Sequence, residues 1–303
     1  MGEIDYSRFD PELRSRARLL PKGYALQRSL TRPRALMKVA GAVGRIRGVE
    51  VADVAPGVSV RVHRPTGIGE PGPAMLWIHG GGMVMGNAAQ EDAFCRKLAN
   101  FTDVTVAAVD HRLAPEHPFP TPLEDCYSAL RWLARQTWVD STRVAVGGAS
   151  AGGGFSAAAA QLARDRGDVK LRLQMLVYPM LDDRTGSNGD RGRVMWSGDD
   201  NQLAWQWYLA GADPVAAVPA RRADLSGLPP TWIGVGDQDL FHEECVAYAA
   251  RLREAGVPVH EEIAHGAFHA FDLIATNASV SQRFFASQCR ALRAALVDDH
   301  AFF

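Results

Sequence analysis

Cysteine is scarce in this 303-residue chain, and its four copies stand far apart. Cys95, Cys126, Cys245 and Cys289 form no C-x-x-C pair, so neither a disulfide framework nor a structural zinc site is expected, and a reducing compartment fits best. Net charge is also nearly absent, at −1. The charges read as mixed along the chain with no long single-sign block, which gives no footprint for nucleic acid or an anionic membrane. No apolar run approaches the roughly 18 residues of a membrane span. The opening "MGEIDYSRFDPELRSRARLL" lacks the apolar segment of a secretory signal. These absences predict a cytoplasmic protein with no transmembrane segment and no nucleic-acid partner.

Motifs for bound groups are missing as well. There is no H-E-x-x-H, and the glycine loop at 80–86 has neither the G-x-G-x-x-G nor the G-x-x-x-x-G-K-[ST] spacing. No metal and no cofactor are expected. What remains is an ordinary globular composition, 47% hydrophobic and 22% charged.

The pattern along the chain is informative. To about Gly48, two short helices are expected, broken near Pro21 and Pro33. "VEVADV" and "VSVRVHRP" alternate like paired strands around a Pro-Gly turn. Short apolar runs then recur: "AMLWIHG", "VTVAAVDHRL", "RVAVGGAS", "LQMLVYPM" and "TWIGVGDQD". Amphipathic stretches such as "DAFCRKLANF" and "PLEDCYSALRWLARQ" lie between them. This alternation predicts an α/β fold with a mostly parallel sheet covered on both faces. From about Asp182 to Leu228 no strand is read; "DDNQLAWQWYLAG" is a helix whose three aromatics need something to cover, as in a lid. A surface excursion is the plainer alternative.

Ser150 follows one of the strands and opens a helix, within Gly148-Ala149-Ser150-Ala151-Gly152. In a G-x-S-x-G at a sharp strand-to-helix turn, glycines on either side remove a clash and the hydroxyl is pushed out at the sheet edge. A serine hydroxyl needs a base, usually a histidine held by a carboxylate, and in such sheets the order is Ser, acid, His. Asp237 and Asp239 both follow "TWIGVG", although Asp239 also stands where it could cap the next helix. His265 and His269 share the loop "AHGAFHAF"; His242 is expected to face away, His260 lies in a strand and His300 in the tail. Spacing leaves both choices open. His79-Gly80-Gly81-Gly82 after "AMLWI" offers free backbone N–H groups to an oxyanion, and the N–H of Ala151 completes the set.

Seven segments occur in one order: "HGGG", "DHRLAPEHPFP", "GASAGG", "YPMLDDR", "LSGLPP", "GDQDLFHEE" and "GAFHAF". On these the chain, from about Val49 on, resembles the hormone-sensitive-lipase-like serine esterases of the α/β-hydrolase superfamily. The resemblance implies a triad of Ser150, Asp239 and His269, with Gly80, Gly81 and Ala151 as oxyanion donors. It implies a single α/β-hydrolase domain over 1–303 whose helical cap comprises about 1–48 and about 182–224. It implies hydrolysis of short-to-medium acyl esters, a small-molecule ester partner and no cofactor; a homodimer is allowed for. Met83, Met85, Trp205, Trp207 and Tyr208 are expected to line an apolar pocket, unless they form the cap's own core. An amidase or lactonase would use the same triad, and a non-catalytic receptor, as in the plant gibberellin receptors, would lack the histidine. Three positions depart from the family: Ala149 for a frequent aspartate, His111 for a tyrosine, Leu240 for a proline. Arg112 and Glu116 are expected to pair and brace their loop.

Overall fold

The computed structural model describes residues 4–67, 69–186, 192 and 194–298. His300 and parts of the 184–193 loop lie outside the described residues. Eight strands are β1 (Glu50–Ala55), β2 (Val58–His63), β3 (Gly72–Ile78), β4 (Thr105–Asp110), β5 (Val139–Ala149), β6 (Leu173–Val177), β7 (Thr231–Gly236) and β8 (Val259–Ala264). The helices are α1 (Arg14–Leu19), α2 (Thr31–Gly44), α3 (Asp92–Thr102), α4 (Thr121–Ala134), α5 (Ala151–Arg166), α6 (Gly198–Leu209), α7 (Pro214–Ala217), α8 (His242–Glu254), α9 (Phe271–Ile274) and α10 (Ser279–Leu296).

The strands form one sheet in the order β1-β2-β4-β3-β5-β6-β7-β8. The β1–β2 hairpin and the β2–β4 pair are antiparallel; every pair from β4 to β8 is parallel. This follows from the sequence texture. β3, β6 and β7 are apolar runs buried along their whole length, as strands covered on both faces must be. β1, at the edge, has no buried residue. The parallel direction of β3 to β8 brings the ends of β3, β5, β6, β7 and β8 to one edge, where ligands meet sheets of this kind.

Two expectations are corrected here. Pro33 does not break a helix: it is the third residue of α2, within the first turn, where a missing N–H costs nothing. Arg112 and Glu116 do not pair. The Arg112 guanidinium donates to Asp125 Oδ1 at 2.6 Å, and Arg34 donates to Glu116 Oε1 at 2.6 Å. The loop is thus tied to α4 on one side and to α2 on the other. The Arg34 partner holds the Glu116 carboxyl down at about 2.

The N-terminal segment meets the segment before and within α6. Buried Asp200 accepts from the N–H of Tyr24 at 2.7 Å and of Leu26 at 2.9 Å, and from Ser197 Oγ at 2.7 Å. Tyr24 also packs against Trp196, with ring centroids 6.1 Å apart.

Candidate active site

Ser150 stands between the end of β5 and the start of α5 with φ 58° and ψ −122°. This is unusual for a residue with a Cβ and is held by tight surroundings. Its N–H donates to Val177 O at 2.9 Å, and its carbonyl accepts from Met180 N at 2.9 Å. The glycines explain how the turn closes. A Cβ on Gly152 would stand 2.0 Å from Ile78 O, and one on Gly148 would stand 2.6 Å from the Gly152 carbonyl carbon. Both positions are therefore closed to any side chain, as the sharp-turn reading requires.

Asp239 and His269 reach Ser150 from the two following loops. His269 Nε2 lies 3.0 Å from Ser150 Oγ, and His269 Nδ1 lies 2.8 Å from Asp239 Oδ2. All three residues are buried. The other Asp239 oxygen accepts from Phe241 N at 3.0 Å. Asp239 thus makes the turn before α8 and holds the imidazole at once. The His269 ring stands edge to face with Tyr178, at 4.9 Å, and with Phe241, at 5.2 Å. These contacts leave the ring little room to turn. Tyr178 is anchored in turn by its hydroxyl, which donates to Asp272 Oδ1 at 3.0 Å. Burial raises the Asp272 carboxyl to about 6.

The glycine loop follows β3. Val84 and Met85 donate their N–H groups to Gly81 O at 3.2 and 3.0 Å, which folds the loop back on itself. Gly81 has φ +129°, and a Cβ there would stand 2.0 Å from Met85 O. Among the described residues, the N–H groups of Gly80 and Gly81 donate to no protein acceptor. Ala151 opens α5, where an N–H has no partner within the helix. Under the loop, His79 and His111 stack at 4.4 Å, 6° from parallel. Burial lowers both histidines, His111 to about 3, so both are neutral at pH 7.

Ser150, His269, Gly80 and Gly81 open on a cavity of about 180 Å³. Its remaining wall is mostly apolar and includes Tyr24, Met37, Met85, Tyr178, Trp196 and Leu273. Of the five residues expected to line it, only Met85 does. Met83 is buried at the turn, its carbonyl accepting from Ala114 N at 3.1 Å. Trp205 and Tyr208 are buried and pack edge to face at 5.9 Å, and Tyr208 meets Phe155 at 5.4 Å. Trp207, half-buried, also packs on the core. These aromatics hold α6 against α5 and the core and do not line the cavity. Sequence reasoning missed Tyr178, although its place after β6 at the same sheet edge as Ser150 was a usable signal. It also missed Tyr24, Met37 and Trp196, which no local pattern marks. Ala149 lines the cavity as well.

The chain matches the family model of the α/β-hydrolase fold over residues 75–273. It is 37% identical over 209 residues to esterase LipI of Mycobacterium tuberculosis, covering 66% of this chain and 65% of that one, just under two thirds of the relative's length. It is 37% identical over 256 residues to carboxylesterase NlhH of the same organism, covering 78% of this chain and 79% of that one. A bacterial heroin esterase of known structure superposes with a TM-score of 0.86 at 35% identity, covering 97% of this chain and 99% of that one. With the sheet order and the strand-turn-helix around Ser150 already in view, the chain belongs to the α/β-hydrolase superfamily, in its hormone-sensitive-lipase-like group of esterases.

Proposed function

We propose that the protein is a carboxylesterase that hydrolyses short-to-medium acyl esters through an acyl-enzyme. The observation that carries this reading is the continuous chain Asp239–His269–Ser150, at 2.8 and 3.0 Å, buried against a small apolar cavity. His269 Nε2 takes the proton as Ser150 Oγ attacks the ester carbonyl, forming a tetrahedral intermediate. Asp239 steadies the imidazolium and fixes which ring nitrogen faces the serine. The N–H groups of Gly80, Gly81 and Ala151 receive the negative oxygen. The intermediate collapses, and the alcohol leaves with the proton from His269. Water, deprotonated by the same histidine, then attacks the acyl-serine and releases the acid.

The cavity supports the acyl range. About 180 Å³ holds a short chain and leaves no room for a long one in full. The N-terminal segment and the segment leading into α6 act together as a cap: Asp200 ties them, and Tyr24, Met37 and Trp196 reach into the same cavity. A series of p-nitrophenyl esters, the matching anilides and a lactone panel tests the reading, with Ser150→Ala as control. Butyrate or hexanoate esters should turn over best, and the variant should be inactive. Wild-type ester turnover by Ser150→Ala, or a preference for anilides or emulsified long-chain lipid, overturns it.

A further inference from the structure

Between Leu13 and Val49 the chain carries ten basic residues and no acidic one. The nearly neutral total hides this block, so the charges are not mixed along the whole chain as their overall balance suggests. The structure places most of these cations at the surface. Lys22, Arg28, Arg32, Lys38, Arg45 and Arg47 are exposed and, among the described residues, form no ion pair.

Apolar side chains stand exposed in the same segment. Leu36, Val39 and Val43 are 57, 60 and 83% exposed. With Arg32 and Ala40 they recur at the spacing of one helix face on α2. The other face, with Pro33, Met37 and Gly41, turns inward, and Met37 lines the cavity that holds Ser150. Leu19, 87% exposed, adds a further aliphatic at the end of α1. α2 therefore has two apolar stripes, one covered by the protein and one that no described residue covers. Beside it, a groove of about 670 Å³ between α2 and the 110–117 loop is lined by Lys38 and Arg45 among others.

We propose that this face of the cap docks on the surface of an anionic lipid bilayer. The cations match anionic headgroups, and the aliphatic stripe enters the boundary between headgroups and acyl chains. The pairing of the two features selects lipid over nucleic acid, whose phosphates match cations and leave an aliphatic stripe uncovered. Docking brings the helix that walls the cavity against the phase in which apolar esters collect. It sets where the protein works and leaves acyl length to the cavity.

The test uses the full chain with Ser150→Ala, so that binding is read without turnover and independently of the proposed esterase activity. It is mixed with phosphatidylcholine vesicles, either pure or with a one-third share of phosphatidylglycerol, and sedimented. Binding to the anionic vesicles only, weakening as salt rises, is expected. Arg28→Glu with Arg32→Glu should lower the partition coefficient by at least roughly 20-fold, about fivefold per cation removed. Leu36→Ser with Val39→Ser and Val43→Ser should lower it by roughly tenfold or more. The same surface changes in the chain with Ser150 intact should leave p-nitrophenyl butyrate turnover unchanged, which shows that the fold is kept. Equal binding to both kinds of vesicle, or binding to neither, overturns the proposal. So does tight binding to duplex DNA that the three serine changes leave untouched. Loss of self-association with the serine changes, and no loss of vesicle binding, assigns the stripe to a second copy of the chain and also overturns it.

Discussion

Asp237 and His265 form a pair of their own, with Oδ2 and Nδ1 3.1 Å apart and the histidine side chain 86% exposed. The two acids and two histidines that spacing could not sort are thus sorted by the fold into two separate pairs. Asp239 and His269 face Ser150; Asp237 and His265 face solvent. Asp237 also accepts from Gly266 N at 2.8 Å, which makes the outer pair a brace for the loop that carries His269.

This division predicts opposite outcomes for similar changes. His269→Ala and Asp239→Asn should each lower kcat for p-nitrophenyl butyrate by roughly 10³-fold or more. His265→Ala should stay within about twofold of wild type, since an exposed pair contributes about 1 kcal/mol at most. A large loss of kcat in His265→Ala would show that the outer pair takes part in the chemistry.

The turn around Ser150 predicts a steric outcome. Gly152→Ala places a Cβ where Ile78 O already stands, at 2.0 Å. The strand or the helix must shift, at a cost of about 1–3 kcal/mol or more. Thermal unfolding should show a lower Tm and the remaining folded protein should be inactive. A variant with unchanged Tm and activity would refute the close contact.

Cavity size can be altered at Trp196. Its ring lies where a Gly82 side chain would be, in the wall beside Ser150. Trp196→Ala opens that wall, so the ratio of kcat/KM for decanoate over butyrate should rise by roughly tenfold or more; an extra methylene in a pocket is worth about 1–3 kcal/mol. No change in the ratio would mean that the acyl chain lies elsewhere.

Asp200 should matter for both stability and activity. Removing its side chain orphans the buried N–H of Leu26, at about 1–3 kcal/mol, and the half-buried N–H of Tyr24 at less. Asp200→Ala should lower Tm by several degrees and reduce ester turnover, with KM rising more than kcat falls. Asp200→Asn, which keeps an acceptor, should recover part of the loss.

Stability should vary with pH through two opposed contributions. Burial lowers His63 to about 4 and His111 to about 3, below the ordinary 6.5. The unfolded chain therefore binds protons first, and stability falls as pH drops from about 6.5 toward 4. His111→Phe should make that fall shallower. Asp272 is raised to about 6, so the folded state holds its proton longer and the associated stability is lost as pH rises from about 4 to about 6. Asp272→Asn should gain on wild type across that interval and keep a constant offset above it. Urea unfolding at several pH values measures both.

Much of this was legible in the chain itself. The strands, the hairpin at Pro56-Gly57 and the helices between strands are written in local periodicity, because a strand buried on both faces needs a continuous apolar run and a covering helix needs one apolar stripe. Ser150 between glycines at a strand-to-helix junction was equally plain, since a sharp turn excludes side chains whatever the rest of the fold does. The choice of Asp239 over Asp237 and of His269 over His265 was not local. It depends on which side chains the ends of β7 and β8 turn toward Ser150, and residues two or four apart can point to opposite sides. The wall of the cavity was least legible. Tyr24, Met37 and Trp196 come from segments distant in sequence, while Trp205 and Tyr208, aromatics in a promising helix, turn inward to hold it. The chemistry of individual residues and the periodicity of each segment are properties of the sequence; which apolar side chains face a cavity and which face one another is decided only when the N-terminal segment and α6 pack together over the sheet.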